Sequence, residues 1–388
     1  MWEDPGDWPR AYPGTAEQLA LGVYIAGQDM HDHVQRVSWV AGTDNPLSSS
    51  LPLGSASVTL RETAPAVANG DRLVILTEYD VLFTGRLEST STDEIPNEPV
   101  VTEVTASDDL SRAGNAEISL WLTGILIGED IYGGEGNVLR KILDAAYVPA
   151  DIVDDRMDYS ASYEGGYAYA SPVTHAGAAL QILSDAIYYA GCIGSYTPSG
   201  LRVRNRGRWV DSAQAVALED ARTAATSWST ARNVSDVINQ ITGTYASLTR
   251  YAYPAGVDPV ITFEDGTIIL FTPESRRAYG PRAMSLYDLE EWPFRSTGET
   301  YLMEAILDPF AVGDFDQPFA RIRARYNVED TDDTAQRLIP FDRVQQDSDD
   351  YLVLRISQSV DLDSWSVEAN MIEVDAIAEW WDKYDYFA

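Results

Sequence analysis

Between residues 19 and 110, apolar and polar positions alternate in short runs, the period-two signature of half-buried strands. Leu19–Ile25, Val34–Val40, Ala56–Arg61, Arg72–Thr77, Val81–Ser89 and Val100–Ala106 are rich in β-branched and aromatic residues and are separated by Gly, Pro, Asn or Asp. That spacing predicts a barrel or sandwich. Asn69-Gly70-Asp71 and Glu78-Tyr79-Asp80 read as two turns framing a hairpin.

The period then changes. Asn137 is placed to cap a helix through Tyr147, with Leu139, Leu143 and Ala146 on one face and Pro149 beyond its end. A second helix over 177–190 sets Leu180, Leu183 and Ile187 on one face, with Gly191 just past it. Asp158–Ala170 and Cys192–Arg208 read as strand and hairpin segments. Strand patterning resumes at Asn233–Ser247 and runs from Arg321 to Val374. In between lie a Gly266-centred hairpin within 255–272, a Tyr279-Gly280-Pro281 turn expected to precede a helix, and two helical stretches, Met284–Trp292 and Glu299–Leu307.

The predicted class is therefore α+β, mostly β, with two β-barrel or sandwich domains flanking an α/β module. The expected divisions are an extended arm at 1–15, a first β domain at 16–115 and the α/β module at 116–212. A second β domain takes 213–262 and 311–388, with an inserted segment at 263–310. The arm rests on Pro5, Pro9 and Pro13, which bar helix, and on Trp2, Trp8 and Tyr12, which offer apolar contact. Gly85 is expected where a strand bends or a second backbone comes close. Asn239, polar among Val and Ile, is expected to serve a local backbone hydrogen bond or a partner strand.

Composition narrows the function. The 388 residues include 61 acidic and 27 basic side chains, a net charge of −34, with 45% hydrophobic residues. That apolar share supports a folded core. The charge opposes sequence-independent binding to nucleic acid or to anionic membranes. Lys141 and Lys383 are the only lysines, a bias expected from a GC-rich genome or from a salt-rich host. The amino terminus, acidic and broken by prolines, carries no secretory pattern, and no apolar run is long enough to span a bilayer.

Candidate chemistry is thin. Cys192 is the single cysteine, and His31-Asp32-His33 reads as a polar turn rather than half of a metal site. The carboxylate pairs Asp108-Asp109, Asp154-Asp155, Glu290-Glu291 and Asp349-Asp350 are too common in so acidic a chain to mark a glycosidase. No GxSxG elbow is present, His175 has no triad companions, and the glycines at 133–136 lack a phosphate-loop lysine. No catalytic residue, cofactor or metal is expected. Two arginine combs stand out instead: Arg202, Arg204, Arg206 and Arg208, then Arg321, Arg323 and Arg325. At period two each comb projects from one face of a strand. Each is placed to clamp acidic residues, either of a neighbouring subunit or of its own chain. Trp380, Trp381 and Tyr384 in the aromatic carboxy terminus are the other candidate interface residues.

The order Ala56-Ser57-Val58-Thr59-Leu60-Arg61, Gly70-Asp71-Arg72-Leu73-Val74-Ile75 and Leu82-Phe83-Thr84-Gly85-Arg86-Leu87 carries a resemblance. It continues in residues 235–243, in 275–282 and in the strands from Tyr351 to Trp380. Over most of its length the chain resembles the tail hub proteins of long-tailed phages and related archaeal tailed viruses. The hairpin at 255–272 and the aromatic end have no counterpart in that pattern. The resemblance implies a structural virion protein at the tail tip, made in the host cytoplasm, whose trimer presents two tube-like β domains per copy. Such a ring joins a sixfold tail tube or distal tail ring to a threefold tip with its fibre or tape-measure proteins. DNA passes through without specific binding, along an acidic lining. A receptor-binding or carbohydrate-degrading tip protein is the alternative, and a cellular β-rich surface protein is a third reading.

Overall fold

The computed structural model describes residues 21–45, 48, 50–61, 65–78, 80–93, 100–125, 138–148, 152–154, 168–189, 192–205, 215–244, 260–264, 267–271, 273–286, 318–331, 334–362 and 364–374. The arm at 1–15, the helical stretch Glu299–Leu307, Arg206, Arg208, Trp380, Trp381 and Tyr384 lie outside them.

The first third is all strand: β1 (Gly22–Ile25), β2 (Gln28–Asp29), β3 (Val34–Gly42), β4 (Ser55–Arg61), β5 (Arg72–Leu76), β6 (Val81–Asp93) and β7 (Val101–Asp108). All six predicted runs are present. The Glu78–Asp80 turn joins β5 to β6, with the Thr77 amide donating to the Asp80 carbonyl at 2.8 Å. Alternation appears directly in burial: along β4, Ala56, Val58 and Leu60 face the core while Ser57 and Thr59 face away. Gly85 is required by a close approach, since a Cβ there would lie 2.1 Å from the Ser107 carbonyl oxygen.

The middle third comprises α1 (Ser111–Asn115), β8 (Glu117–Ile125), α2 (Val138–Ala145), β9 (Ile152–Asp154), β10 (Ala168–Ala178), α3 (Ala179–Tyr189), β11 (Cys192–Thr197) and β12 (Gly200–Asn205). Leu139, Leu143 and Ala146 are buried, as the helical spacing predicts, and so are Leu183 and Ile187 on α3. Residues 177 and 178 close strand β10 rather than open α3, because Gly177 and Ala178 pair with Ile118 and Glu117. The sequence reading missed β8, although Ile118 and Leu120 alternate with Glu117 and Ser119, and β9, whose three residues are too few to show a period. The module has its own core, into which Leu51 and Leu110 of the first β region also pack.

The last third holds β13 (Val216–Leu218), α4 (Ala221–Ala224), β14 (Ser227–Arg232), β15 (Gln240–Thr244), β16 (Val260–Glu264), β17 (Thr267–Phe271), α5 (Pro273–Tyr279), β18 (Ala283–Leu286), β19 (Ala320–Asn327), β20 (Arg343–Gln346), β21 (Asp349–Asp361) and β22 (Trp365–Val374). Within the expected 255–272 hairpin, β16 and β17 pair antiparallel, while Gly266 itself lies outside the described residues. Three expectations are corrected. The stretch from Met284 begins as strand, not helix, because β18 pairs in parallel with β15 from Gln240↔Ala283 onward. Tyr279-Gly280-Pro281 follows a helix instead of preceding one: Gly280, at φ +73°, donates to the Arg276 carbonyl and ends α5 in the left-handed conformation that glycine tolerates. In hydrogen bonding, β15 and β16 join β17 and β18 in a four-stranded sheet, apart from the strands they were expected to accompany.

The chain is thus mostly β, with few helices. Strands from both β regions form one sheet in the order β14-β19-β22-β21-β3-β4-β7-β6-β5-β1-β2, with β20 and β13 branching from β21. The join is β3 against β21, antiparallel from Arg36↔Asp361 to Gly42↔Arg355. One apolar core lies along this sheet and takes residues from both regions, among them Val37, Val58, Ile75, Ile322, Ile356 and Val367. No closed barrel forms among the described residues, since the strand path ends at β14 and at β2.

Candidate functional site: the polar sheet face and its seam

The face of the large sheet turned away from this core is a row of small hydroxyls crossed by charge. Ser89↔Thr105↔Ser57↔Ser38↔Ser359↔Ser366 pair in register across β6, β7, β4, β3, β21 and β22. The Ser89 and Thr105 hydroxyls are 2.7 Å apart, and Ser57 donates to Glu103 at 2.8 Å.

The second arginine comb stands on this face. Along β19 Ala320, Ile322, Ala324 and Tyr326 are buried, so Arg321, Arg323 and Arg325 all project outward. Each is held by a carboxylate of the same chain. Arg323 and Arg325 converge on Glu368 of β22, at 2.7 and 3.3 Å. Arg321 reaches Asp236 at 2.8 Å and the Asp44 carbonyl at 2.7 Å. Partial burial lifts the Glu368 carboxyl, but the bond and charge of Arg323, then Arg325, outweigh it and hold the group below its ordinary value. The same contact raises the Arg323 guanidinium.

Asp44 organises the seam between the two β regions. It lies on the connection from β3 to β4, accepts Arg355 of β21, and accepts the Asn370 side chain of β22 at 2.5 Å. Gly42, just before it, sits at φ +89°, and a Cβ there would lie 2.0 Å from the Leu354 carbonyl oxygen. A backbone this close admits only glycine.

The first comb is placed differently. Arg202 and Arg204, on β12, are 5% and 4% exposed, so neither stands free on the surface of this chain. Arg202 donates to the Pro340 carbonyl at 2.5 Å and to Asp342 at 3.1 Å, tying the α/β module to the second β region. For Arg202, Arg321, Arg323 and Arg325, pairing within the chain is the arrangement observed. Sequence reasoning missed the partners Asp44, Asp236, Asp342 and Glu368. It also missed the buried two-bond pair of Arg343 with Asp350, at 2.6 and 3.1 Å. The polar stripe Ser366, Glu368, Asn370 at period two marked an outward face, although nothing in it marked Glu368 as an arginine acceptor. His31–His33 forms a 3-10 turn, and no group of three or more His, Cys, Asp or Glu able to hold a metal occurs among the described residues.

No protein-family model matches the chain, and no curated protein matches it. Solved structures do match. A tail protein from Neisseria meningitidis MC58 superposes with a TM-score of 0.59 at 12% identity, covering 91% of this chain and 96% of its own. The 43 kDa tail protein of prophage MuSo2 from Shewanella oneidensis gives 0.57 at 9% identity, covering 92% and 98%. An E. coli component of the type VI secretion system, itself similar to the T4 bacteriophage tail proteins gp27 and gp5, gives 0.50 at 9% identity over 91% and 77%. The chain has the fold of these tail proteins.

Proposed function

We propose that this chain is a structural tail-tip hub of a virion, a trimer that rings the DNA exit path and joins a sixfold tail tube or distal tail ring to a threefold tip. The observation that carries the reading is the fusion of both β regions into one sheet through β3 and β21, in a chain with a tail-protein fold. Three copies then offer six β units to a sixfold neighbour, and closing the ring buries strand edges that otherwise template aggregation. β14 is the edge to be covered: five of its six residues are exposed, and β19 is its one neighbour in the sheet among the described residues.

The polar face suits contact with passing DNA without retention. Four arginines, Arg321, Arg323, Arg325 and Arg355, are neutralised by the chain's own carboxylates, so phosphate meets hydroxyls and paired charges rather than a free cationic row. Trp380, Trp381 and Tyr384, with Arg206, Arg208 and the outward-facing Arg321, Arg323 and Arg325, remain the proposed contacts to neighbouring subunits and to fibre or tape-measure proteins; Arg202 and Arg204, buried within the chain, do not. The role is structural, and no residue is assigned to catalysis.

An electron-microscopy map of the purified particle tests this. Expected is a threefold ring at the tail tip in which both β regions of each copy line one wall. A monomer on the outside of the tail overturns the proposal.

A further inference from the structure

Helix α2 ends in a cap that usually holds glycine. The Tyr147 amide donates to the Asp144 carbonyl at 3.1 Å, and the Val148 amide reaches back to the Leu143 carbonyl at 2.9 Å. This pair of bonds forms when the residue after the helix is left-handed, and Tyr147 takes that conformation at φ +54°. A side chain crowds its own backbone there, which glycine avoids. Val148 is buried in the core of the α/β module, whereas Tyr147 is 80% exposed. The fold therefore bears a backbone cost at Tyr147 without burying the ring, a pattern that points to a contact outside the chain. Arg140, Lys141 and Asp144 lie on the same side of α2, opposite the buried Val138, Leu139, Ile142 and Leu143, with Arg140 paired to Asp144 at 3.3 Å. That side carries a net positive charge on a chain of −34.

A surface of opposite sign exists on the second β region. Two turns meet there, because β13 pairs in parallel with β20 and the Gln346 side chain accepts the Arg222 amide at 2.8 Å. Glu219 and Asp220 on one turn, with Asp347 and Asp349 on the other, are all exposed. None of the four forms an ion pair among the described residues. Arg222 is the one cation set against them on these turns.

We propose that Tyr147 and the basic side of α2 form a docking surface for a second copy of this chain, which presents its acidic turns at 219–220 and 347–349. Two surfaces of so acidic a chain repel each other except where one of them reverses sign, and the α2 side does so. An exposed aromatic ring beside an arginine is the composition that interface centres favour. The two surfaces belong to different parts of the chain, α2 to the α/β module and the turns to the second β region. Contact therefore runs head to tail, from the α2 side of one copy to the acidic turns of the next. The docking surface shares with the tail-hub reading only the premise that copies of the chain associate.

Sedimentation of the full chain across a concentration series tests the contact. The wild type is expected to associate, and Tyr147→Gly to weaken that association about tenfold or more. At dilutions where only single copies remain, the melting temperature of Tyr147→Gly is expected to equal or exceed that of the wild type, since glycine relieves the cap. Lys141→Glu and Asp349→Lys should each weaken association, and the two together should restore most of it, because the charges are exchanged across the contact. A Tyr147→Gly chain that associates like the wild type, or whose single copies melt lower, overturns the proposal. So does a wild type that stays single throughout, or a charge exchange that restores nothing. The particle map decides the tail-hub reading separately, whichever way these variants behave.

Discussion

The indole nitrogen of Trp365 donates to the side-chain oxygen of Gln358 at 2.9 Å inside the core of the large sheet. The other end of the same amide donates to the Gln336 carbonyl at 2.9 Å, and Gln358 is 2% exposed. One glutamine thus satisfies two buried groups, one on β22 and one on the 3-10 turn Ala335–Arg337, while the edge of Trp365 packs against Trp39 of β3. Gln358→Leu keeps the volume and strands both partners. A loss of about 2–4 kcal/mol is expected, because a buried donor and a buried acceptor lose their bonds together. Urea unfolding of the isolated chain measures it.

Two glycines separate backbone strain from steric exclusion at the seam. Gly42 and Gly70 both have φ near +90°, yet a Cβ on Gly70 meets nothing within 4 Å, while one on Gly42 meets the Leu354 carbonyl oxygen at 2.0 Å. Gly70→Ala is expected to cost about 1–2 kcal/mol from conformation alone. Gly42→Ala adds the forced separation of β3 from β21 and is expected to lower the melting temperature several degrees further. Equal effects in thermal denaturation count against a tight seam.

With 61 acidic side chains against 27 basic ones, the folded chain repels itself in dilute buffer. Screening shortens the range of that repulsion from about 10 Å at 0.1 M to about 3 Å at 1 M salt. The melting temperature is therefore expected to rise from low to molar sodium chloride. The paired comb opposes the trend slightly, since Arg323 and Arg325 lose part of their attraction to Glu368 in the same titration. A flat profile removes salt adaptation as the reason for an arginine-dominated basic set.

The strands of the large sheet were legible because one face is buried and the other wet, which writes a period of two into the chain. Arg321, Arg323 and Arg325 announced their shared face in that way. Their acceptor did not, because Glu368 is distant in sequence and the pairing depends on which strand lies beside β19. β14 escaped for a related reason: only Trp228 is even partly covered, so no apolar alternation exists to read. β18 looked helical because Met284 and Leu286 fit either period, and the parallel neighbour that decided the matter was invisible. The fusion of the two β regions likewise lay beyond sequence, since Asp44 to Arg355 spans 311 positions.

Asn239 supplies the sharpest local test. It is 1% exposed, its amide nitrogen donates to Ser275 Oγ at 3.1 Å and to the Gly280 carbonyl at 3.0 Å, and its oxygen accepts the Arg282 amide at 2.9 Å. One side chain therefore pins the end of α5 and the turn after it to the start of β15, and sets the register in which β18 pairs with β15. Asn239→Ala leaves the Gly280 carbonyl and the Arg282 amide without these bonds. Asn239→Asp keeps the acceptor for Arg282 but removes both donations. Because β15 to β18 form a sheet of their own, the damage is expected to stay local. Both variants should expose residues 273–286 to proteolysis and hydrogen exchange, by about 2–3 kcal/mol in the alanine case and by more in the aspartate, whose buried carboxylate faces the Gly280 carbonyl. The β3–β21 pairing should stay as protected as before; if it loosens in parallel, the four-stranded sheet and the large sheet unfold as one unit.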